Sequence, residues 1–584
     1  MTPVDVARYR PSALWAWFGD RVWRVEHAFE HAKAQRREKD TTYRIFFVLA
    51  MFATAFAMLA AGAVTKALFS NAGAGAGGVP IAAVARADLV DRNGRLLAVD
   101  LVHYGAYLDP REVWDTAETR RGLASVLPNL PKDRIEKALT SKKRSFLVSG
   151  LTPEQKGQLH DLGLPGLSFE PEDRRIYPLG PTAAHLIGFT DTGGSGLAGA
   201  ERALDKTVRQ SGAKGAPVAL SIDLRVQAAL DEEVKKAAVD FQALGAVGMV
   251  VDVHTGEILG MVSYPDFDPN APGKASPPSL VNHAAATVYE PGSVFKVFTL
   301  AMGLDSGVAK LDTMFDARTP LALSGQTIHD YDKDNAMLPL WEVFTHSSNI
   351  GAARLGLLAG ADRMNRYFRG FGLFAAAPSE LRESASPITP RRMSDNVVAS
   401  MSFGHAISVS PLAIATGMTS ILNGGTYIPL TIRKLDAGQK PHGRRVIAES
   451  TSRTMLDLMR LNVVQGTGSK ADAPGLSVGG KTGSAEKALG GHYERKKLVS
   501  SFAAIFPTTG PMDAPRYLVL IMMDEPHATK ETFGFATGGW TAAPTAGRVI
   551  DRIAPFLGVD RAPPELAQAE RAKVTPQQIA GEEE

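Results

Sequence analysis

The chain has 584 residues, several times the length of a typical domain, so two or more domains are expected. Hydrophobic residues make up 45% of it and charged residues 21%, as in ordinary globular proteins, and a net charge of only +3 without a long basic block argues against a nucleic acid partner. Because there is no cysteine, the chain has no disulfide, no thiolate metal site and no cysteine nucleophile.

Residues 1–44 are predicted to form a cytoplasmic tail that contains an amphipathic helix. Its apolar residues recur at spacings of three and four: Leu14, Phe18, Val22, Val25 and Phe29. Such a helix would lie on a membrane surface or against a partner protein. A loosely ordered tail is the alternative, and the sequence does not decide between them.

Residues 45–66 are predicted to form a single transmembrane helix. The segment Ile45–Val64 has twenty residues without a charge, which is the length that a helix needs to cross the hydrocarbon core. Basic residues precede it at Lys33, Arg36, Arg37, Lys39 and Arg44. Because only Lys66 follows closely, the N-terminus is predicted to be cytoplasmic and the remainder extracytoplasmic. A signal peptide cleaved near Ala72–Ala74 is the alternative, and the long charged leader argues against it.

Residues 67–80 are predicted to be a flexible linker, and residues 81–215 a first extracytoplasmic domain that acts as a pedestal. Within Leu89–Val99, the Asn93-Gly94 pair predicts a turn between two strands. Residues 152–155 have the pattern of a capping box with proline at the first helical position.

The segment 174–178, with the sequence Arg-Arg-Ile-Tyr-Pro, is interpreted by default as a solvated basic pair. An extended segment at a domain contact is the alternative. We find no set of catalytic residues in this pedestal.

Residues 216–558 are predicted to form one α+β domain, because strands are followed by helices and then by strands again. Its first predicted elements are the strand Val218–Ile222, a helix capped by Asp223, and a hairpin of Gly245–Val253 with Ile258–Val262. The Pro-, Ala- and Glu-rich residues 559–584 are predicted to be a disordered tail.

Ser293 and Lys296 form an S-x-x-K motif in an apolar segment. A Pro-Gly pair precedes Ser293, which is therefore predicted to begin a helix, and residues three apart share one helix face. Since the helix is apolar on nearly every side, the lysine is expected to be buried with a lowered pKa. Its neutral amine can then take the proton of the serine hydroxyl and create a nucleophile. A core helix with a capping serine is the alternative. The same spacing recurs in less apolar settings at Ser211/Lys214 and Ser484/Lys487.

Ser347 and Asn349 form an S-x-N motif before an Ala- and Leu-rich segment that is predicted to be a helix. The hydroxyl can relay a proton to a leaving group, and the amide can hold a substrate amide. Helix capping is the alternative interpretation. Residues 394–396, Ser-Asp-Asn, are a rival candidate.

Lys481, Thr482, Gly483 and Ser484 follow a short apolar run and are predicted to lie on a strand. Glycine inside a strand often marks close approach by another backbone, so a substrate peptide is predicted to pair there as an added strand. Lys481 and Thr482 would hold a carboxylate by charge-assisted hydrogen bonds. A strand bend with an exposed lysine is the alternative.

Together, and in this order, the S-x-x-K, S-x-N and K-T-G motifs are much more specific than any one of them. The chain resembles the class B penicillin-binding proteins, and most of all their division-specific, FtsI-type members. The likeness extends from the transmembrane segment to about residue 556. It includes residues 91–94, 174–178, 184–188, 199–202, 290–293, 466–468, 501–503, 523–526, 538–539 and 543–544.

This resemblance implies an elongated β-rich pedestal and a transpeptidase domain with an antiparallel sheet flanked by helices. Lys296 would deprotonate Ser293, which attacks a peptidoglycan stem peptide that ends in D-Ala-D-Ala. Backbone N–H groups of Ser293 and Ser484 would form the oxyanion hole. Ser347, with Asn349 and Lys481, would protonate the departing D-Ala, and Thr482 would bind the terminal carboxylate.

The resemblance also implies a place in the cell. The protein would be anchored in the inner membrane at the division septum, with its catalytic domain in the periplasm. An FtsW-type glycosyltransferase and other divisome membrane proteins would be its partners, and β-lactams would acylate the nucleophile. No cofactor and no metal are implied.

Some positions depart from the family pattern without removing a catalytic side chain: Ala87, His283, Val294, His405, Ala413 and Ser484. His405 is interpreted as a packing or loop residue and not as a base. Four alternative functions stay open, namely an elongation-type transpeptidase, a D,D-carboxypeptidase, a β-lactamase and a non-catalytic membrane scaffold.

Overall fold

The structure is a computed structural model that describes residues 86–331, 336–439, 441–489 and 492–581, together with residues 21, 24, 50–54 and 56. The predicted linker and nearly all of the predicted tail and transmembrane helix therefore lie outside the described residues. In the described part, no helix has the length and hydropathy needed to cross a membrane. The chain divides into two compact units, residues 1–82 and 83–584, and the architecture below is that of the second unit.

A five-stranded sheet forms the base of the pedestal. Its strands are β1 (Leu89–Val90), β2 (Leu96–Leu108), β3 (Ser145–Leu151), β4 (Leu167–Ile176) and β5 (Val218–Ala219). The long strand β2 pairs antiparallel with β1, β3 and β4, while β5 pairs parallel with β1. The predicted turn at Asn93-Gly94 is confirmed, since Gly94 has a φ of +84° between β1 and β2.

Six helices follow strand β2 and precede strand β5 in the chain. They are α1 (Thr116–Val126), α2 (Lys132–Thr140), α3 (Pro153–Asp161), α4 (Ala184–Ile187), α5 (Gly199–Ala203) and α6 (Asp205–Gly212). The predicted capping box begins α3: Gln155 N donates to Thr152 Oγ1, and Thr152 N donates to Gln155 Oε1, both at 3.1 Å.

The segment 174–178 makes a domain contact, which the sequence offered only as the alternative. Tyr177 N donates to Asn270 Oδ1, and Asn270 Nδ2 donates to the Tyr177 carbonyl, both at 2.9 Å. The default interpretation of a solvated basic pair is wrong for Arg175 and holds for Arg174 alone. Arg175 is buried and forms ion pairs with Asp100 at 3.0 Å and Glu201 at 2.7 Å.

A second five-stranded sheet forms the centre of the following domain. Its strand order is β14 (Gly479–Leu489), β15 (His492–Phe506), β16 (Tyr517–Asp524), β6 (Gly245–Asp252) and β7 (Ile258–Tyr264). All four pairings are antiparallel, which confirms the predicted α+β class and the β6–β7 hairpin. Smaller two-stranded sheets join β8 (Met314–Asp316) with β11 (Met337–Pro339), β9 (Leu321–Leu323) with β10 (Gln326–Ile328), and β12 (Thr426–Tyr427) with β13 (Arg444–Arg445).

Helices pack on both faces of the larger sheet. They are α7 (Leu224–Asp240), α8 (Lys296–Asp305), α9 (Leu340–Thr345), α10 (Asn349–Ala359), α11 (Ala361–Gly370), α12 (Asp395–Met401), α13 (Pro411–Leu422), α14 (Glu449–Gln465) and α15 (Ala542–Ile553). Successive strand residues point to opposite faces, so Met249 lies in the same buried cluster as residues of α8 and α13, whereas Val250 lies in the cluster that contains residues of α7 and α15. Burial on both faces explains why the strands are continuously apolar.

Two sequence predictions in this domain need correction. The predicted strand Val218–Ile222 pairs as a strand only at its first two residues, because Leu220 turns to form an isolated bridge with Arg433. The predicted disordered tail instead contains helices α16 (Pro564–Lys573) and α17 (Pro576–Gly581). Helix α16 contacts the domain through a charged side chain. Its Glu570 forms an ion pair at 2.8 Å with the buried Arg460 of α14.

Candidate active site

The three sequence motifs meet at one hydroxyl group, that of Ser347. Lys296 Nζ donates to Ser347 Oγ at 3.2 Å, and Lys481 Nζ donates to it at 2.9 Å. Lys296 Nζ also donates to Asn349 Oδ1 at 2.8 Å and to the Ser347 carbonyl. Residues from helix α8, from the turn between α9 and α10, and from strand β14 therefore converge as the motif order predicted.

Ser293 lies on a tight turn before the helix. The sequence predicts that a helix begins at Ser293, but residues Gly292–Phe295 form a 3₁₀ turn and the α-helix begins at Lys296. Residues three apart are eclipsed in a 3₁₀ turn, so the two side chains still share one face. Ser293 is half-buried between fully buried neighbours.

The amine of Lys296 is engaged by the S-x-N turn and not by Ser293. Among the hydrogen bonds of the described residues, none joins Ser293 Oγ to Lys296 Nζ. Catalytic hydrogen bonds are often long in ligand-free sites and form only when substrate binds, so this arrangement is compatible with a proton transfer between the two side chains.

Backbone contacts hold this turn against the sheet. Gly292 has a φ of +57°, and a Cβ there would lie 3.0 Å from the Ser484 carbonyl oxygen. Gly404, with a φ of +84°, leaves no room for a side chain, since its Cβ would lie 2.2 Å from the Gly292 carbonyl oxygen. Glycine at both positions lets the nucleophile turn, the strand and the Gly404 loop approach one another closely.

Burial makes the amine of Lys296 a candidate base. The side chain is fully buried, and desolvation lowers its pKa from the usual value to about 7, although the Asp330 carboxylate acts in the opposite direction. A substantial fraction of this amine is therefore neutral at neutral pH, as the sequence predicted.

Lys481 is fully buried as well. Desolvation, and after it the positive charge of Lys296, lower its pKa well below the usual value. Its Nζ also donates to the carbonyl of Thr482 at 3.1 Å and to Thr482 Oγ1 at 3.3 Å. Two neighbouring buried amines compete for positive charge, so an anion bound near Lys481 would favour the protonated form of that lysine.

Strand β14 lies at the edge of the larger sheet, and in the described part of the chain it pairs only with β15. A Cβ at Gly483 would lie 2.3 Å from Ser501 Oγ and 2.9 Å from the Pro291 carbonyl oxygen, so the predicted close approach is confirmed. Ser484 Oγ accepts a hydrogen bond of 3.0 Å from Gly538 N. The strand is thus held between the nucleophile turn and the loop before α15.

Several residues at the site carry no sequence signal that identified them. Thr467 Oγ1 lies 2.8 Å from Thr482 Oγ1, so two hydroxyls stand together where a carboxylate is predicted to bind. Asn462 Nδ2 donates to the Gly480 carbonyl at 2.7 Å and braces the strand from α14. Asp330 binds the start of α10. Of these residues, Thr467 alone belongs to a segment of the family resemblance, residues 466–468.

The rival motif lies elsewhere. Ser394 stands at the start of α12, and Asn396 Nδ2 donates to the Ser324 carbonyl. Within the described residues, neither Ser394 nor Asn396 forms a hydrogen bond with Lys296 or Lys481. His405 Nδ1 lies 3.1 Å from Glu290 Oε2, and its ring packs on Phe403, which is consistent with a loop residue.

Family models and individual relatives of known name both match this chain. A family model described as the penicillin binding protein transpeptidase domain matches residues 246–550, and one described as the penicillin-binding protein dimerisation domain matches residues 81–214. The chain is 56% identical over 558 residues to a probable peptidoglycan D,D-transpeptidase FtsI of Caulobacter vibrioides, covering 94% of this chain and 95% of that protein. It is 30% identical to a probable peptidoglycan D,D-transpeptidase PenA of Neisseria gonorrhoeae, covering 83% and 86% of the two chains. It is 29% identical to the peptidoglycan D,D-transpeptidase FtsI of Escherichia coli, covering 81% and 84%.

Proposed function

Because the chain belongs to the class B penicillin-binding proteins, in their division-specific branch, we propose that it cross-links peptidoglycan stem peptides during cell division. The observation that carries this proposal is the convergence of Lys296 and Lys481 on Ser347 Oγ, next to the turn that holds Ser293. The function is a serine-based acyl transfer from a peptide that ends in D-Ala-D-Ala.

The first half of the reaction forms an acyl-enzyme. The neutral amine of Lys296 takes the hydroxyl proton of Ser293, and Ser293 Oγ attacks the carbonyl carbon of the penultimate D-Ala. Backbone N–H groups of Ser293 and Ser484 stabilise the tetrahedral oxyanion. The C–N bond then breaks, and Ser347, assisted by Asn349 and Lys481, delivers a proton to the departing amine of D-Ala.

The second half transfers the acyl group. An amine from a neighbouring stem peptide attacks the ester carbonyl and loses a proton to the same set of bases, which return a proton to Ser293 Oγ as the ester C–O bond breaks. The product is a new peptide bond between two stems. A β-lactam ring would acylate Ser293 in the same first step, with ring opening in place of D-Ala release.

The free edge of β14 supports the binding mode. A donor peptide would pair with residues 481–484 as an added strand. Its terminal carboxylate would meet the hydroxyls of Thr482 and Thr467 and the amine of Lys481, which would become protonated on binding. Because the two lysines compete for charge, this protonation would leave Lys296 neutral for the next step.

The cellular setting follows from the N-terminal segment. We place a single transmembrane helix at residues 45–66, with the N-terminus in the cytoplasm and residues 81–558 in the periplasm at the division septum. The uncharged run Ile45–Val64 and the basic residues before it support this arrangement. The pedestal would engage an FtsW-type glycosyltransferase and other divisome membrane proteins.

The test uses the purified full-length chain with lipid-linked substrate. Cross-linked dimers that disappear in the Ser293→Ala variant are expected. Hydrolysed monomer without dimers would instead identify a carboxypeptidase. Complementation separates catalysis from a scaffold role, since rescue of growth by Ser293→Ala would contradict an essential catalytic function.

A further inference from the structure

The turn that carries Ser347 is strained. Ser347 has a φ of +61°, in the left-handed region that a residue other than glycine rarely adopts, so this backbone conformation is strained. Helix α10 begins two residues later at Asn349, so the catalytic hydroxyl and amide sit where backbone N–H groups have no partner inside the helix. Something outside this segment must hold it in place.

Asp330 provides three hydrogen bonds to this turn. Its Oδ1 accepts from Asn349 N at 2.5 Å and from Ile350 N at 2.9 Å, and its Oδ2 accepts from Ser348 Oγ at 2.7 Å. Ser348 Oγ in turn accepts from Gly351 N at 2.9 Å, as the N-cap of α10. This one carboxylate therefore binds all three residues that follow Ser347.

A second contact from the same segment orients the side chain of Asn349. Asn349 Nδ2 donates to the His329 carbonyl at 3.2 Å, which leaves Asn349 Oδ1 directed at Lys296 Nζ. The amide of Asn349 is thus oriented at one end by the segment that carries Asp330 and at the other by the candidate base. Loss of that segment would free the amide to rotate.

Among the described residues, two charged groups act on or face Lys296. Lys481 faces it from β14, and Asp330 is the carboxylate whose charge acts on it in the described part of the chain. Ser293, Ser347 and Asn349 are neutral. Asp330 therefore offsets positive charge in a site where two amines are buried together.

We propose that Asp330 is a positioning residue for acyl transfer: its carboxylate fixes the strained turn that presents Ser347 and Asn349 to Lys296, and it offsets the buried positive charge of Lys296. This inference rests on the proposed function. Asp330 touches no reacting atom and acts through Ser348, Asn349 and Ile350.

Two substitutions separate its geometric and electrostatic roles. Asp330→Asn keeps the shape and one acceptor oxygen but removes the charge, whereas Asp330→Ala removes both. Asp316→Asn is the matched control, because Asp316 lies in the same part of the domain and forms an ion pair with the exposed Arg318, away from both lysines. The full-length protein in detergent is acylated with fluorescent penicillin, and the second-order rate constant is measured from pH 5 to 9.

Asp330→Ala should lower the plateau rate constant about 100-fold, since a displacement near 1 Å of a catalytic group has roughly this cost. Asp330→Asn should lower the plateau less but move the rising limb of the profile to lower pH by roughly one unit. The direction follows because the carboxylate favours protonated Lys296, so its removal lowers the pKa of that amine. Asp316→Asn should change neither quantity.

A merely structural role would lower the fraction of active protein without moving the midpoint of the pH profile. An unshifted midpoint in Asp330→Asn, together with a wild-type plateau, would overturn the proposal even if Asp330→Ala fails to fold. Failure of the proposed function looks different: the wild-type chain would then not be acylated at all, or Ser293→Ala would still be acylated.

Discussion

Lys296 and Lys481 donate hydrogen bonds to the same oxygen atom, Ser347 Oγ, although both side chains are fully buried. Two amines in one desolvated site cannot both hold a proton at low cost: burial lowers the pKa of each, and the positive charge of Lys296 lowers the pKa of Lys481 further. In the proposed mechanism, this arrangement makes Lys296 available as a neutral base while Lys481 can meet an anion.

Ser293→Ala is expected to abolish covalent penicillin binding. The alanine has no oxygen to form the ester, and members of a catalytic unit do not substitute for one another. Intact mass after penicillin treatment, with peptide mapping, checks this. Ser394→Ala, in the rival motif, is the control and should retain a full adduct. An adduct that persists on Ser293→Ala would show that the nucleophile lies elsewhere.

The acylation rate is expected to rise with pH around the pKa of Lys296, which lies at about 7. The amine acts as a base only when neutral, so below that pKa the rate should fall about tenfold for each pH unit. Stopped-flow acylation of the full-length chain gives the profile. Lys296→Arg keeps a positive charge but stays protonated, and it should be inactive throughout. A wild-type acylation rate that does not change from pH 5 to 8 would show that Lys296 is not the base.

Thr482→Val is expected to weaken recognition of the substrate carboxylate. Loss of a charge-assisted hydrogen bond costs about 1.5–3 kcal/mol, or roughly 10- to 150-fold in acylation efficiency. Comparing penicillin with its methyl ester isolates the effect, since the variant should lose efficiency with the acid but little with the ester. Equal losses of acylation efficiency for both compounds would mean that Thr482 stabilises the strand and does not bind the carboxylate.

The ion pair between Glu570 and Arg460 is expected to stabilise the domain. Arg460 is buried, and Glu570→Ala would leave it with Asp472 and the Val478 carbonyl as its remaining partners. We expect the free energy of unfolding to fall by about 1–3 kcal/mol, measured by thermal or urea unfolding. Glu565→Ala, at an exposed site on the same helix, should change it by less than about 0.5 kcal/mol. Equal effects of the two substitutions would show that α16 does not depend on this contact.

Short-range patterns predicted much of the candidate site. The S-x-x-K, S-x-N and K-T-G motifs named all the side chains that meet at Ser347, and glycine inside β14 indicated close backbone approach. These predictions succeeded because residue type and spacing within a few positions determine turns, strands and shared faces. Even the 3₁₀ turn, where an α-helix was expected, left Ser293 and Lys296 on one face.

Contacts between distant segments were not predictable in the same way. Asp330 and Thr467 are common residue types that carry no local signal, and they acquire a role only when α10 and β14 fold against them. The polar composition of α16 predicts a disordered tail. It does not reveal that Glu570 of this helix forms an ion pair with the buried Arg460.

The amino-acid sequence by itself determined the motifs, the α+β class and the family, because these depend on residue types at short spacings. Only the tertiary structure decided that both lysines are buried together, that one carboxylate braces the strained turn, and that the chain end folds back as a helix. Desolvation and charge balance are properties of the packed interior, where segments more than a hundred residues apart exclude water from the same few atoms.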